Sequence, residues 1–275
     1  MSPVSLIIIL FTGLTSYKGF KDYPFFHKYS FEIERVTVFK EYRRLITSGF
    51  LHVDWRHYIF NMYSLYAFTG TVEIIMGSAK FLAIYFASLI GGNLLALYIH
   101  RHDSTYVAVG ASGAVCGVIF ASIGLFPYIN ITPLFFPFSF PAWIYGIVYV
   151  LYCIYGIKSL NDNIGHDAHL AGTLVGLLTT VGLYPSVLQT NYWALGAIAL
   201  PAIIFIILIL KRPDWIYIQG FSFNVKNYRN IDDRYHDQKY ENQKKLDKIL
   251  DKINSKGIDS LSKKEKEILH NQSRD

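Results

Sequence analysis

The chain alternates long apolar runs with short polar stretches and ends in a polar tail. A transmembrane helix needs about 20 apolar residues, and seven runs reach or approach that length. They cover residues 3–16, 57–76, 81–100, 112–126, 141–157, 167–184 and 192–210. The first run begins too close to Met1, and lacks the basic segment, to be a cleaved signal peptide. The pattern therefore predicts an all-α fold, a polytopic bundle of transmembrane helices embedded in the lipid bilayer.

Composition strengthens the membrane interpretation. Of the 275 residues, 52% are hydrophobic and 17% are charged, whereas a soluble domain has about 25% charged residues. This excludes an ordinary soluble globule and a disordered chain, and the presence of only two cysteines excludes a disulfide scaffold. The net charge of +6 comes mainly from the tail and one loop, where acids are interspersed. We attribute it to membrane topology and solubility, and predict no nucleic-acid partner.

The run at 112–126 is too short to cross a bilayer fully. About 15 residues at ~1.5 Å each give roughly 22 Å, whereas the hydrocarbon core is about 30 Å thick. One end must lie below the membrane surface, so residues 101–111 must enter the bilayer to meet it. Irregular backbone at that depth is tolerated only inside protein or beside a wet cavity. We therefore expect a cavity at Ser112.

Four polar side chains lie near the starts of the second, fourth and sixth runs. His57 and Asn61 share one face of the second helix. Ser112 begins the fourth helix, and His169 lies two residues into the sixth. Alternating spans place these three starts on the same side of the membrane. The four side chains therefore converge at one depth, and polar groups inside spans are costly and mark functional sites.

These residue types suit nucleophilic catalysis. A serine needs a general base, which His169 can supply to Ser112. The Ser112 N–H, Asn61 and His57 can donate hydrogen bonds to an oxyanion. Asp167 is about 200° around the helix from His169 and points away, so a Ser–His dyad is expected. Small residues at four-residue spacing let the two helices approach closely; they are Gly113, Gly117, Gly172 and Gly176.

The other candidates are expected to have structural roles. We expect Glu73 to cap the far end of the second helix or to anchor the loop that follows it. We expect His166 to lie in a loop, and Cys116 and Cys153 to pack among apolar side chains. The sequence contains no CxxC pair and no HExxH string. We therefore predict no metal and no cofactor.

The residues of the expected site form motifs that resemble those of the rhomboid family of intramembrane serine proteases. The string GASG, from Gly110 to Gly113, is similar to the family's GxSG. Residues 168–172, followed by Gly176, resemble its AHxxGxxxG, and residues 57–61 match its HxxxN. Residues 43–52 resemble its WRxxTxxFxH loop. The resemblance covers roughly residues 3–184.

The resemblance implies that Ser112 is the nucleophile and His169 the base, with Asn61, His57 and the Ser112 amide around the oxyanion. It also implies a six-helix core that cleaves transmembrane protein substrates near the membrane surface. We expect this rhomboid core at 1–184, an additional transmembrane helix within 185–210, and a polar tail at 211–275.

Two positions depart from the family pattern. Arg43 stands where the family often has tryptophan in the loop motif. Cys116 stands four residues after the serine, where the family often has an aromatic ring that stacks on the histidine. Neither departure removes a catalytic group, but both bear on how the site is packed.

The tail carries a helical pattern of its own, which predicts a small helical hairpin. Its first helix is expected to end at Gly257, and the stretch from Ser262 to Glu265 is typical of a capping box before a second helix. The apolar positions of the two helices are Leu246, Ile249, Leu250, Ile253, Ile268 and Leu269. The tail resembles C-terminal extensions of rhomboids from some Bacteroidetes, and it is either a solvated appendage or a partner-docking element.

Two arguments about orientation disagree. The resemblance implies a bacterial cytoplasmic membrane with the catalytic face outside. The positive-inside rule favours the reverse, because the loop before the second helix holds eight Lys and Arg residues. We follow the family expectation, and the sequence indicates no oligomeric state.

Two other functions compete with a protease. One is a proteolytically silent rhomboid-like module that binds membrane proteins, although silent relatives typically lose the serine or the histidine that this chain keeps. The other is a transporter, or a haem or metal protein, but no inverted repeat is evident. Its ligands would be His52, His57, His166 and His169.

Overall fold

Long helices dominate the architecture. A computed structural model describes residues 3–132, 137–159 and 164–211, together with Ile249, Lys252, Ile253, Leu261 and Ser262. The chain divides into two compact units, residues 1–223 and 224–275. The long helices of the first unit are α1 (Pro3–Lys21), α5 (Trp55–Met76), α6 (Ser78–Ile99), α7 (Ser112–Leu125), α8 (Ala142–Ser159), α9 (His166–Leu183) and α10 (Val187–Lys211). The predicted helical membrane bundle is confirmed.

Short elements connect these helices. Between α1 and α5 lie α2 (Tyr23–Tyr29), α3 (Ile33–Thr37), α4 (Arg44–Thr47) and a 3-10 turn (Ser48–Phe50). Two antiparallel pairs of two-residue strands complete the described part of the fold. They are β1 (Phe31–Glu32) with β2 (Val107–Ala108), and β3 (Asn130–Ile131) with β4 (Phe140–Pro141).

Four of the helices, α1, α6, α8 and α10, are long and apolar enough to cross a membrane. The helices α5 and α9 carry the polar residues of the expected site. The apolar helix α7 has 14 residues, which is about 21 Å and shorter than the hydrocarbon core. The short helix predicted at 112–126 is therefore present, and it begins at Ser112.

The bundle is built around α7. Every residue of α7 from Gly113 to Leu125 is buried, as expected of a helix that is apolar on all sides. Small residues bring its neighbours close. A Cβ built on Gly176 would lie 2.5 Å from the Gly117 Cα, and one on Gly172 would overlap the Gly113 carbonyl. The two helices α7 and α9 therefore touch backbone to backbone, the kind of contact that small residues permit in membranes.

The loop between α1 and α5 is organised around a buried arginine. Arg44 is only 4% exposed. Its guanidinium donates to the carbonyls of His27 at 2.5 Å and Ser30 at 2.6 Å, and to the Glu41 carboxylate at 2.6 Å. Burial raises the pKa of Glu32, but the His27 hydrogen bond and the Arg44 charge outweigh it and hold that pKa below its usual value. The loop is thus a folded structure on one face of the bundle.

This loop also encloses the irregular segment 101–111. The β1–β2 ladder joins the two segments, with Phe31 opposite Ala108 and Glu32 opposite Val107. The Gly110 N–H donates to the Ser48 carbonyl at 3.0 Å. These bonds satisfy backbone groups that would otherwise be unpaired inside a membrane.

Some helix bounds differ from the predicted ones because caps and turns move them. Asp54 accepts from the His57 N–H at 2.7 Å, so α5 begins at Trp55 rather than at 57. Gly77 has a φ of +80° and separates the two helices, so α6 begins at Ser78. Ser78 donates to the Glu73 carboxylate at 3.0 Å, so Glu73 anchors the α5–α6 junction as expected. Helix α10 begins at Val187, five residues before the predicted start.

The expectation that His166 lies in a loop is wrong. His166 is the first residue of α9 and is 3% exposed. Its ring packs against Gly156 of α8, where a Cβ would overlap the imidazole, and lies edge-on to Tyr152 at 4.9 Å between centroids. Gly156 on the neighbouring helix leaves space for the His166 ring. The sequence around His166 gives no sign of this space.

Only fragments of the second unit are described. Ile249 and Ile253 are helical, in agreement with the predicted first tail helix at these two positions. The other residues of that pattern, Leu246, Leu250 and Gly257, lie outside the described residues, as do Glu265, Ile268 and Leu269. The boundaries at 184 and 210 remain predictions.

Candidate functional site

The start of α7 faces the start of α5 across a glycine. Gly110 has a φ of +134°, a conformation that favours glycine. A Cβ built on it would lie 2.9 Å from His57 Nε2 and 3.8 Å from Ser112 Oγ. His57 and Ser112 therefore border the same small space, and only a residue without a side chain leaves that space open.

Asn61 lies one helical turn below His57. It is 7% exposed, and its amide donates to the His57 carbonyl at 3.1 Å. An amide has two N–H donors, so this bond uses one and orients the other. His57 and Asn61 thus form one polar edge on α5, on the helix turn nearest to Gly110.

His52 anchors the segment that precedes Ser112. It is fully buried, and burial, followed by the charge of neighbouring His57, lowers the pKa of His52 to about 2. The ring is therefore neutral. Its Nε2 lies 3.5 Å from the Ala111 N–H and accepts from it, so Nδ1 carries the proton and donates to Ser16 Oγ at 3.0 Å. The histidine of the loop motif thus connects α1 to the residue before Ser112.

His169 lies in the first turn of α9, at the level of Ser112. A Cβ built on Gly113 would lie 3.4 Å from the Ala168 carbonyl, and one on Gly92 would lie 2.7 Å from the same atom. The residue before His169 is therefore wedged between the residue after Ser112 and helix α6. This contact sets α9 against α7 where the expected base and nucleophile begin their helices.

Asp167 turns away from His169. Its carboxylate lies 3.0 Å from Nε2 of His100, the residue that follows α6, and accepts from the Ala168 N–H at 2.9 Å. The His100 ring stacks on Tyr106 at 3.7 Å between centroids. Asp167 is only 4% exposed, and its hydrogen bond to His100 ties the start of α9 to the end of α6.

Sequence reasoning did not identify Tyr149 on α8. Its hydroxyl lies 3.1 Å from His169 Nδ1 and 3.0 Å from Cys116 Sγ. The only available signal was indirect: the aromatic residue expected at 116 is missing. Among the many aromatic residues of the α8 sequence nothing distinguishes Tyr149.

One group of side chains could hold a metal ion. The ligand atoms of Cys153, His166 and His169 lie within 4.8 Å of one another, and thiolate with imidazole is a donor set typical of zinc. His52 and His57 instead pair with each other, at 4.8 Å between ring centroids. The four histidines of the metal alternative therefore form two separate pairs. Within the described residues only His166 and His169 belong to a group that could hold a metal ion.

Comparisons with known proteins support the motif-based resemblance. Residues 40–186 match the family described as rhomboid domain, and residues 229–275 match a family of unknown function, DUF6576. Rhomboid protease AarA of Providencia stuartii is 26% identical over 212 residues, which cover 70% of this chain and 71% of that protein.

Two further relatives match over a shorter region. Rhomboid protein 1 of Saccharomyces cerevisiae, a mitochondrial protein, is 29% identical over 137 residues, which are 49% of this chain and 40% of that protein. Rhomboid protease GluP of Bacillus subtilis is 28% identical over 144 residues, 52% of this chain and 26% of that protein. The chain thus spans less than half the length of these two relatives.

Proposed function

Since this chain belongs to the rhomboid family, we propose that it is a serine endopeptidase that cleaves transmembrane segments with a Ser112–His169 dyad. Relatives named as rhomboid proteases favour this activity. The observation that carries the proposal is the wedge at Ala168, which sets the first turn of α9 against the first turn of α7. It brings the two helix starts that bear the base and the nucleophile together at one depth.

In the proposed reaction His169 acts as general base. Nε2 takes the proton of the Ser112 hydroxyl while Oγ attacks the substrate carbonyl, and a tetrahedral intermediate forms. The imidazolium then returns the proton to the leaving amine as the peptide bond breaks. Water, activated by the same histidine, releases the acyl group and restores the serine.

The oxyanion of the intermediate needs donors arranged before the reaction begins. The Ser112 N–H lies at the start of α7, where backbone amides are not used by the helix. His57 borders the same space across Gly110, and Asn61 lies one turn below it. These three groups are the proposed oxyanion donors.

We place the substrates in the membrane. The loop around Arg44 lies beside the segment leading to Ser112, so the site lies near one surface of the bilayer. The proposed substrates are transmembrane proteins cut near that surface, in a bacterial cytoplasmic membrane. The reaction proposed here uses no cofactor.

The test compares purified protein with Ser112→Ala and His169→Ala. Cleavage of a model transmembrane substrate is expected to fall by more than about a thousandfold in either variant. Labelling by a serine-directed fluorophosphonate probe is expected to disappear in Ser112→Ala. Matched controls are Ser122→Ala, on the same helix, and His102→Ala, in an exposed loop, and both should keep wild-type rates.

Equal labelling and cleavage in wild type and Ser112→Ala would reject the proposal. If wild type and variants are all inactive while the protein remains folded and captures membrane segments, the chain is the silent binding module instead. If Ser112→Ala is inactive but His169→Ala cleaves as wild type does, another residue is the base.

A further inference from the structure

A tyrosine from a different helix lies beside His169. Four residues after Ser112 the chain has Cys116, whose side chain cannot stack on the histidine. The aromatic ring next to His169 comes from Tyr149 of α8. Its ring is within 22° of parallel to that of His169, with 6.4 Å between centroids.

The tyrosine hydroxyl links two side chains of the site. It lies 3.1 Å from His169 Nδ1 and 3.0 Å from Cys116 Sγ. Its ring packs against Phe120 at 5.6 Å and stacks with Tyr145 at 5.8 Å between centroids. The ring position is therefore held by packing, independently of the hydroxyl.

We propose that Tyr149 is a positioning residue that holds His169 in the tautomer needed for a base. This inference rests on the proposed function. A tyrosine hydroxyl has one proton. If that proton points to Cys116 Sγ, the oxygen accepts from His169 Nδ1–H. Nε2 then carries no proton, so its lone pair can accept the proton of Ser112.

The arrangement performs the task that a carboxylate performs in a Ser–His–Asp triad, without adding a charge. The third group of such a triad fixes the tautomer and orientation of the histidine, and losing it lowers the rate even though the geometry survives. A neutral oxygen is the less costly choice within a membrane, where an unpaired carboxylate is expensive. Cys116 has the complementary task, since in this proposal its sulfur accepts a hydrogen bond from the tyrosine hydroxyl.

The main test is Tyr149→Phe, with Tyr145→Phe as the matched control. Both changes delete one hydroxyl from the same face of α8 and keep the ring. We expect kcat of Tyr149→Phe to fall by about tenfold to hundredfold, the loss for one buried hydrogen bond to a group that becomes charged. KM should not change. Tyr145→Phe should match wild type, and equal kcat in Tyr149→Phe would overturn the proposal.

A second pair of variants tests whether the Tyr149 hydroxyl donates its hydrogen bond to Cys116 Sγ or to His169 Nδ1. Cys116→Ser keeps an acceptor for the tyrosine hydroxyl and should retain most of kcat. The double variant Cys116→Ala, Cys153→Ala removes both thiols that interact with the hydroxyl. The hydroxyl then donates to Nδ1 instead, which moves the histidine proton to Nε2, so kcat should fall. The opposite ranking would overturn the assignment.

A spectroscopic readout separates this proposal from the proposed function. In protein labelled with ¹⁵N-histidine, the chemical shifts of His169 report which nitrogen is protonated. We expect Nδ1–H in wild type and a mixture of tautomers in Tyr149→Phe. This measurement needs no substrate, so it decides the role of Tyr149 even if Ser112→Ala shows that the chain is not a protease. Nε2–H in wild type would overturn the proposal.

Discussion

Gly110 lies two residues before Ser112 and has a backbone conformation that other residues rarely adopt. A Cβ at this position would be 2.8 Å from His57 Cε1. Two separate requirements therefore meet at one residue, a positive φ and an open space for the imidazole. The GxSG string contains this glycine, but the sequence does not say which side chain it leaves room for.

At the scale of single residues we predict that Gly110→Ala displaces His57 and lowers kcat by about a hundredfold to a thousandfold, the effect of losing one oxyanion donor. The strained φ should also cost about 1–3 kcal/mol of stability. The control is Gly77→Ala, where φ is +80° but no atom lies within 4 Å of a built Cβ. It should lose stability and keep its cleavage rate. Normal cleavage by Gly110→Ala would contradict a role for His57.

Helices α7 and α9 form the element pair on which the candidate site depends. The small residues that predicted their approach lie directly at the contact. Gly113, Gly172 and Gly176 face backbone atoms, whereas Gly117 faces the Ser88 side chain of α6 and, next, the Gly172 carbonyl. Backbone atoms cannot rotate away as the end of a flexible side chain can. The relative position of Ser112 and His169 is therefore set along the whole contact, several turns from the site.

At the element scale we predict that Gly176→Ala weakens the bundle. Its Cβ would lie 2.5 Å from the Gly117 Cα, and overpacking of this kind costs about 1–3 kcal/mol. Both Tm in detergent and kcat should fall. Gly182→Ala, on the same helix, meets no atom within 4 Å and should be neutral or stabilising, since alanine is the better helix former. Equal Tm values for the two variants would refute the close contact.

The direction of the helices determines the side of the membrane on which the tail begins. Tyr98, near the end of α6, donates to the Leu210 carbonyl near the end of α10 at 3.4 Å. At the other end of α6, Lys80 donates to the Leu183 carbonyl of α9 at 2.9 Å. The helix α10 therefore returns to the face on which α5, α7 and α9 begin, which is the face of the candidate site.

For the whole molecule we predict that Tyr42→Cys and Ser255→Cys are labelled by an impermeant thiol reagent from the same, outer side. Tyr42 is 57% exposed, whereas Ser30 of the same loop is buried and would not report. Ser186→Cys, in the exposed turn before α10, should be labelled only from the inner side. Both native cysteines are buried, which limits background labelling. Labelling of Tyr42→Cys from the inside alone would reverse the orientation.

Much of the molecule was predictable from the sequence because the signals are local. Apolar runs of membrane length gave the long helices, and the shortness of α7 placed Ser112 at a helix start. The four-residue spacing of glycines predicted the α7–α9 contact. The residues expected at the site are those that lie in motifs, and each motif is contiguous along the chain.

What only the tertiary structure decided depends on segments that are far apart in the sequence. Tyr149 lies beside His169 because α8 packs against α9, and Asp167 pairs with His100 because α6 runs past the start of α9. His166 is buried because Gly156 on another helix leaves space for its ring. A local pattern specifies which residues form a helix, but the partners of a side chain follow from how the helices pack. The sequence by itself therefore determined the membrane helices and the motif residues, and the packing decided which groups surround them.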